Sequence, residues 1–226
     1  MPWDATIDGT VLYDRGGHYR AYDDATRATL DSRLRTRLGP APLRLDVEGA
    51  WQRGRQLVAA SGLSQNIEAW LASARLTTVP AGRTHIVAGV GADLLSGDSS
   101  PLDEHYSAFG TMYATNHPFY GLMDVIGDPA TTTKDRGLAD ALATASAELT
   151  THTAVRAEVH RFTMMTGSDR ALGWETDLGV PVRISHAATI ELGYSVFRAS
   201  TGAAAVGLGD RGQTKNWAYA QFGVAF

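Results

Sequence analysis

Along residues 27–38 the chain changes character at every step. Arg27, Thr29, Asp31, Arg33, Arg35 and Arg37 fall on one parity, and Ala28, Leu30, Ser32, Leu34, Thr36 and Leu38 on the other. A helix would spread these arginines around its circumference; a strand puts them all on one side. Residues 43–52 repeat the pattern, with Leu43, Leu45, Val47, Gly49 and Trp51 against Arg44, Asp46, Glu48, Ala50 and Gln52. Two neighbouring strands with one charged and one apolar face constrain the fold more than any other feature.

Extended along the chain, the same period predicts ten strands at 5–14, 26–38, 43–53, 66–79, 84–96, 138–149, 154–165, 172–183, 187–198 and 215–226. Tight connections are expected at 39–42, 80–83, 150–153 and near 185–186. Longer ones are expected at 15–25, 54–65, 97–137 and 199–214, with a short exception near 166–171. Short turns at one end and long loops at the other are the layout of a closed, antiparallel, up-and-down transmembrane β-barrel. The short turns would be periplasmic and the longer loops extracellular. The reading is one all-β domain over 1–226, with both termini at the short-turn end. A strand of about 11 residues rising ~3.4 Å each and tilted ~40° covers roughly 28 Å, enough for the hydrocarbon layer. The last strand alternates Ala218, Ala220, Phe222, Val224 and Phe226 against Trp217, Tyr219, Gln221 and Gly223. An open edge is intolerable in lipid, so this strand is expected to close the barrel.

Charge and composition exclude several classes. Lys+Arg number 20 against 24 Asp+Glu, a formal charge of -4, which argues against a nucleic-acid partner. Cysteine is absent, so no disulfide or thiolate metal site exists. No run of ~18 apolar residues suggests a membrane helix. The N-terminus lacks a basic region followed by an apolar core, so an exported protein is expected here in mature or recombinant form.

Tyr13, Trp51, Trp70, Trp174 and Tyr194 all take the apolar parity, towards the long-loop ends of their strands. They are the expected girdle where amphipathic rings meet lipid headgroups, which makes outer-membrane lipids the first expected partner.

Residues 93–124 carry Asp-Leu-Leu-Ser-Gly-Asp and, further on, Thr115-Asn116-His117, Phe119-Tyr120-Gly121 and Asp124. This resembles the alginate-export family of outer-membrane porins, in which a strand ending in Ser-Gly-Asp enters a long loop bearing such an element. Glu158-Val159-His160-Arg161-Phe162 and Glu191-Leu192-Gly193-Tyr194-Ser195 resemble strands of the same family. The likeness covers roughly residues 65–226. It implies a porin-like channel in the bacterial outer membrane, passing ions or small, saccharide-like or anionic solutes. Family members with export activity resemble longer chains of about eighteen strands, so a ten-stranded barrel implies a narrower lumen.

The expected lumen carries Arg27, Arg33, Arg35, Arg37, Arg44, Arg75 and Arg156 with Glu158 and His160. One reading is a basic stripe that attracts anions. The other is a network in which these arginines pair with acids on adjacent strands. The connection 97–137 far exceeds a hairpin turn. With Asp98, Phe109, Asn116, His117, Phe119, Tyr120 and Asp124 it is expected to fold into the barrel mouth and constrict it. The competing function is a plugged barrel acting as an anchor or as a subunit of an envelope assembly. The alanine-rich outward face at 139–147 leaves room for a second copy or an envelope partner. Catalysis is not expected. Asp98, Asp103, His105 and His117 resemble the rim acids and histidines of ten-stranded membrane proteases only in residue type. Those histidines with Asp103 and Glu104 match no metal-ligand spacing. No cofactor or metal is expected.

Overall fold

The computed structural model describes residues 4–16, 22–39, 42–58, 62–80, 85–100, 102–112, 116 and 119–225, and for 22–24 the backbone alone. Period-two patterning produces strands throughout: β1 (Ala5–Arg15), β2 (Tyr22–Arg37), β3 (Leu43–Val58), β4 (Leu63–Thr78) and β5 (Ile86–Leu95). After a two-residue strand, β6 (His105–Tyr106), and one helical turn, α1 (Pro129–Thr132), come β7 (Leu138–Glu148) and β8 (Ala154–Thr163). The chain ends with β9 (Ala171–Arg183), β10 (Ala188–Ala199) and β11 (Thr214–Val224).

All belong to one sheet, in which each long strand pairs antiparallel with the next and β6 lies parallel to β4. The ten expected strands are present; β6 is additional. Among the described residues β1 and β11 are the sheet's two edges, with no ladder between them. Closure is therefore absent from the described pairings, and the terminal Phe226 lies outside the described residues. Ala5 pairs with Thr36 and Val224 with Ala188, so both described ends sit with the short turns.

One connection differs from expectation. Residues 54–65 are not a long loop, because β3 runs to Val58 and β4 starts at Leu63. Arg53, Arg55, Ser64, Asn66 and Glu68 make the outward face polar here, while Gln56 and Gln65 hold the inner face by a 3.1 Å amide–amide bond. The ladder continues after the apolar alternation has stopped. Likewise, β2 begins at Tyr22 rather than near 26.

The sheet is inverted in polarity. Ile7, Val11, Leu30, Trp51, Trp70, Val90, Trp174, Leu178, Leu192 and Phe222 are exposed on one face, whereas Gln52, Asp93, Asp140, His160, Glu175 and Asp177 are buried on the other. An exposed apolar face of this extent marks an interaction with lipid or another surface. No helix among the described residues is long and apolar enough to cross a membrane.

Candidate lumen and its inward-folded loop

Register turns the inner face into belts of directly opposed side chains. One belt runs Asp8, Arg33, Glu48, Ser73, Asp93, Asp140, Phe162 across β1, β2, β3, β4, β5, β7 and β8. Its neighbour towards the short turns runs Arg35, Asp46, Arg75, Gly91, Leu142, His160, Glu175 from β2 to β9. Towards the long loops comes Asp31, Ala50, Leu71, Leu95, Leu138, and with it the start of an apolar zone.

The arginines of these belts are each paired with an acid. Arg33 grips Asp46 through two bonds of 2.7 and 2.5 Å, and Arg75 grips Asp93 through two of 2.7 and 2.6 Å. Arg35 meets Asp8 at 2.5 Å, Arg37 meets Asp4 at 3.3 Å, and Arg156 meets Glu191 at 3.6 Å. His160 Nδ1 lies 2.8 Å from Asp140 and its Nε2 3.6 Å from Glu158. Of the two readings open from sequence, this is the network. Arg44 is exposed opposite Arg37 at the short-turn end. Arg27 is buried against the loop at Gly110.

The described residues between 96 and 137 pack against the polar face of the sheet. The ends of this segment meet where the Asp98 N–H donates to the Asp135 carbonyl at 2.7 Å. Only glycine fits at 97, since a Cβ there would lie 2.1 Å from the Arg136 carbonyl oxygen. Asp128 caps α1, accepting from the Ala130 and Thr131 N–H groups. Phe109, Tyr120 and Ile126 pack with Leu95, Leu138, Phe162, Leu172 and Phe197 in the main apolar cluster. Polar pins fix the same segment. Gln52 bonds the Gly110 peptide, and the Met123 N–H donates to Glu175 Oε1 at 2.9 Å. Gly121 has φ 83°, and a Cβ there would meet Glu175 Oε1 at 2.3 Å.

The remaining loop residues have distinct places. Asn116 Nδ2 donates to Thr111 and to the Gly127 carbonyl, both at 3.0 Å. Phe119 stays half exposed at the cavity, and Asp124 takes a positive φ of 53°. His117 lies outside the described residues. Burial pushes the Asp98 carboxyl above its usual range, partly offset by the Ser100 N–H that it accepts. Burial likewise pushes the Tyr120 phenol up from its ordinary range.

Between the loop and the wall formed by β1–β5, β7 and β8 lies a cavity of about 710 Å³, lined by Asp31, Arg33, Glu48, Arg75, Asp93, Phe109, Phe119 and Tyr120, among others. Arg156 stands apart, at a smaller recess with His85 and Glu148. Asp103 accepts from the backbone N–H of His105 in a local turn, and no group of three His, Asp or Glu among the described residues is placed to hold a metal ion.

The five girdle aromatics are all exposed on the apolar face. Trp51 and Trp70 are direct cross-strand neighbours, whereas Tyr13, Trp174 and Tyr194 pair in other rows. Arg53 stacks over Trp51 at 4.4 Å and Arg161 over Trp174 at 5.2 Å, which places a guanidinium beside each ring.

Sequence reasoning missed Gln52, Gln65 and Ser195 as inner-face residues that matter. A buried glutamine on a polar parity was the only available signal. Compared with known proteins, the chain matches no family model and no curated relative. What fold and site define is an all-β antiparallel up-and-down sheet with a charged face, an apolar face and one long loop packed against the charged face.

Proposed function

We propose that the chain forms a closed β-barrel in a bacterial outer membrane and acts as a narrow porin of the alginate-export kind. It passes ions or small polar solutes through the cavity beside the inward loop, without catalysis. The supporting observation is the inverted polarity: buried carboxylates, guanidinium groups and amides inside, exposed leucine, isoleucine, valine and tryptophan outside. Only a wall with lipid on one side and a polar interior on the other gains from that arrangement. Closure of β1 on β11 follows from the same physics, because eleven residues of unpaired backbone on each edge cannot face hydrocarbon. The loop element at Asn116 and Phe119-Tyr120-Gly121 then has a definite task, narrowing the lumen by packing Tyr120 inward.

A second reading, the plugged structural barrel, draws support from the pairing of the inner arginines and from the apolar knot between the loop and β7–β10. Single-channel recording on refolded protein in planar bilayers separates the two. Stable steps, enlarged by deleting 105–122, support the porin. Insertion without conductance supports the plugged barrel.

A further inference from the structure

The cavity is unevenly charged. Among the described residues lining it, Asp8, Asp31, Asp46, Glu48, Asp93 and Glu158 stand against Arg35, Arg33 and Arg75. The three guanidinium groups are already matched: Arg35 to Asp8, Arg33 to Asp46, Arg75 to Asp93. That leaves Asp31, Glu48 and Glu158, and Glu158 faces His160 at 3.6 Å. Glu48 has only a distant contact, 3.9 Å from an Arg33 whose two short bonds go to Asp46. Asp31 has no hydrogen bond or ion pair among the described residues, and its Oδ2 is buried without a partner. Asp31 pairs with Ala50, so Glu48 is its diagonal neighbour on the same inner face.

An acidic cluster alone would be unremarkable. The second observation is Tyr120, which is 4 % exposed, lines the same cavity, and has no hydrogen-bond partner for its hydroxyl among the described residues. That hydroxyl lies within the electrostatic reach of Asp93, Asp140, Arg75 and, least strongly, Glu48. Asp31 Oδ2 on the same cavity is buried without a partner, and such a group implies a ligand or solvent that satisfies it. A phenol oxygen can accept from an ammonium or coordinate a metal cation. Phe109 and Phe119 line the same cavity.

We infer that the lumen holds and selects small cations, at a site made by the Asp31 and Glu48 carboxylates and the Tyr120 hydroxyl. This rests on the porin reading for permeation, but the site itself does not require conduction. Fixed arginines make no anion path here because each is neutralised by its own acid, while the surplus carboxylates set the sign of the field.

The test is the reversal potential of refolded protein under a potassium chloride gradient. Cation preference is expected, and Asp31→Asn/Glu48→Gln lowers the cation-to-anion permeability ratio about threefold or more. Glu68→Gln on the outer face leaves it unchanged. Anion preference, or a double variant identical to the parent, overturns the inference while leaving the porin intact. A silent protein removes the porin reading instead. The site is then read by calorimetric titration of spermidine into protein in zwitterionic detergent. Saturable binding lost in the double variant supports the cation site; no binding overturns it. Should the double variant fail to fold, Tyr120→Phe, which removes only the hydroxyl, must weaken spermidine binding or potassium preference.

Discussion

Gln52 reads the Gly110 peptide twice: its Nε2 donates to the Gly110 carbonyl at 2.7 Å and its Oε1 accepts from the Gly110 N–H at 3.1 Å. One side chain on β3 thereby satisfies both backbone polar groups of a loop residue 58 positions away. Replacing Gln52 with leucine leaves that buried peptide without partners, at a cost of about 1–3 kcal/mol. The expected result is a lower urea midpoint in lipid vesicles and faster proteolysis within 97–137, with β-sheet circular dichroism retained. Unchanged proteolysis would mean that the apolar cluster holds the loop unaided.

Gly121 sets a sharper constraint. Its φ of 83° is unfavourable for any other residue, and an added methyl would collide with Glu175 Oε1 at 2.3 Å. Gly121→Ala is expected to cost well over ~1 kcal/mol and to break the bond from the Met123 N–H to Glu175. Raised Tyr120 and Phe119 accessibility to iodination or chymotrypsin would reveal it. Gly127→Ala, where the added carbon comes no nearer than 3.5 Å to the Asp124 carbonyl, serves as the tolerant comparison.

The Arg75–Asp93 pair tests the inner network. Asp93 is nearly enclosed and accepts both bonds from one guanidinium. Arg75→Met strands a buried carboxylate and is expected to cost about 3–5 kcal/mol, whereas Arg75→Met/Asp93→Leu recovers most of it. Equal destabilisation by the single and double variants would show that the pair is not the unit that matters.

Much of this was legible because strands were read through contrast between faces. Leu30 and Leu34 alternate with Asp31, Arg33 and Arg35, so the charged side of β2 was unambiguous. Around Gln56 and Gln65 both faces are polar, contrast vanishes, and a continuous ladder read as a long loop. Phe109 and Tyr120 announced an inward loop because aromatic rings seek burial. Gln52 announced nothing, since its partner is a backbone peptide that side-chain identity does not encode. The arginine pairings needed register: Arg33 bonds Asp46, which stands opposite Arg35, rather than Glu48 opposite itself.

Asp98 ties stability to pH. Burial holds its carboxyl above the ordinary range, so the folded protein binds that proton more tightly than the unfolded chain. The stabilisation is complete below the unfolded carboxyl's range and is lost as pH rises through the folded one. Asp98→Asn keeps an acceptor for the Ser100 N–H without ionising. The variant should therefore gain on the parent as pH rises from 4 to 7, read as the difference in urea midpoints at each pH. A gap that stays constant across that range would mean that Asp98 ionises in the fold as freely as outside it.

The proposed closure of β1 on β11 is open to a direct chemical test, because the chain has no cysteine of its own. β1 ascends from the short-turn end and β11 descends to it, so their meeting would be antiparallel and would seat Val11 near the outward row Ala218, Ala220 and Phe222. Val11→Cys combined in turn with Ala218→Cys, Ala220→Cys and Phe222→Cys samples three registers two residues apart. A disulfide needs Cα atoms within ~7 Å, so a fixed seam oxidises in one combination far faster than in the other two. That combination should also make the folded form resist heat in detergent, keeping its compact electrophoretic mobility. Equal, slow oxidation in all three, with every cysteine open to a membrane-permeant thiol reagent, would mean that the edges stay apart and that something else must cover them.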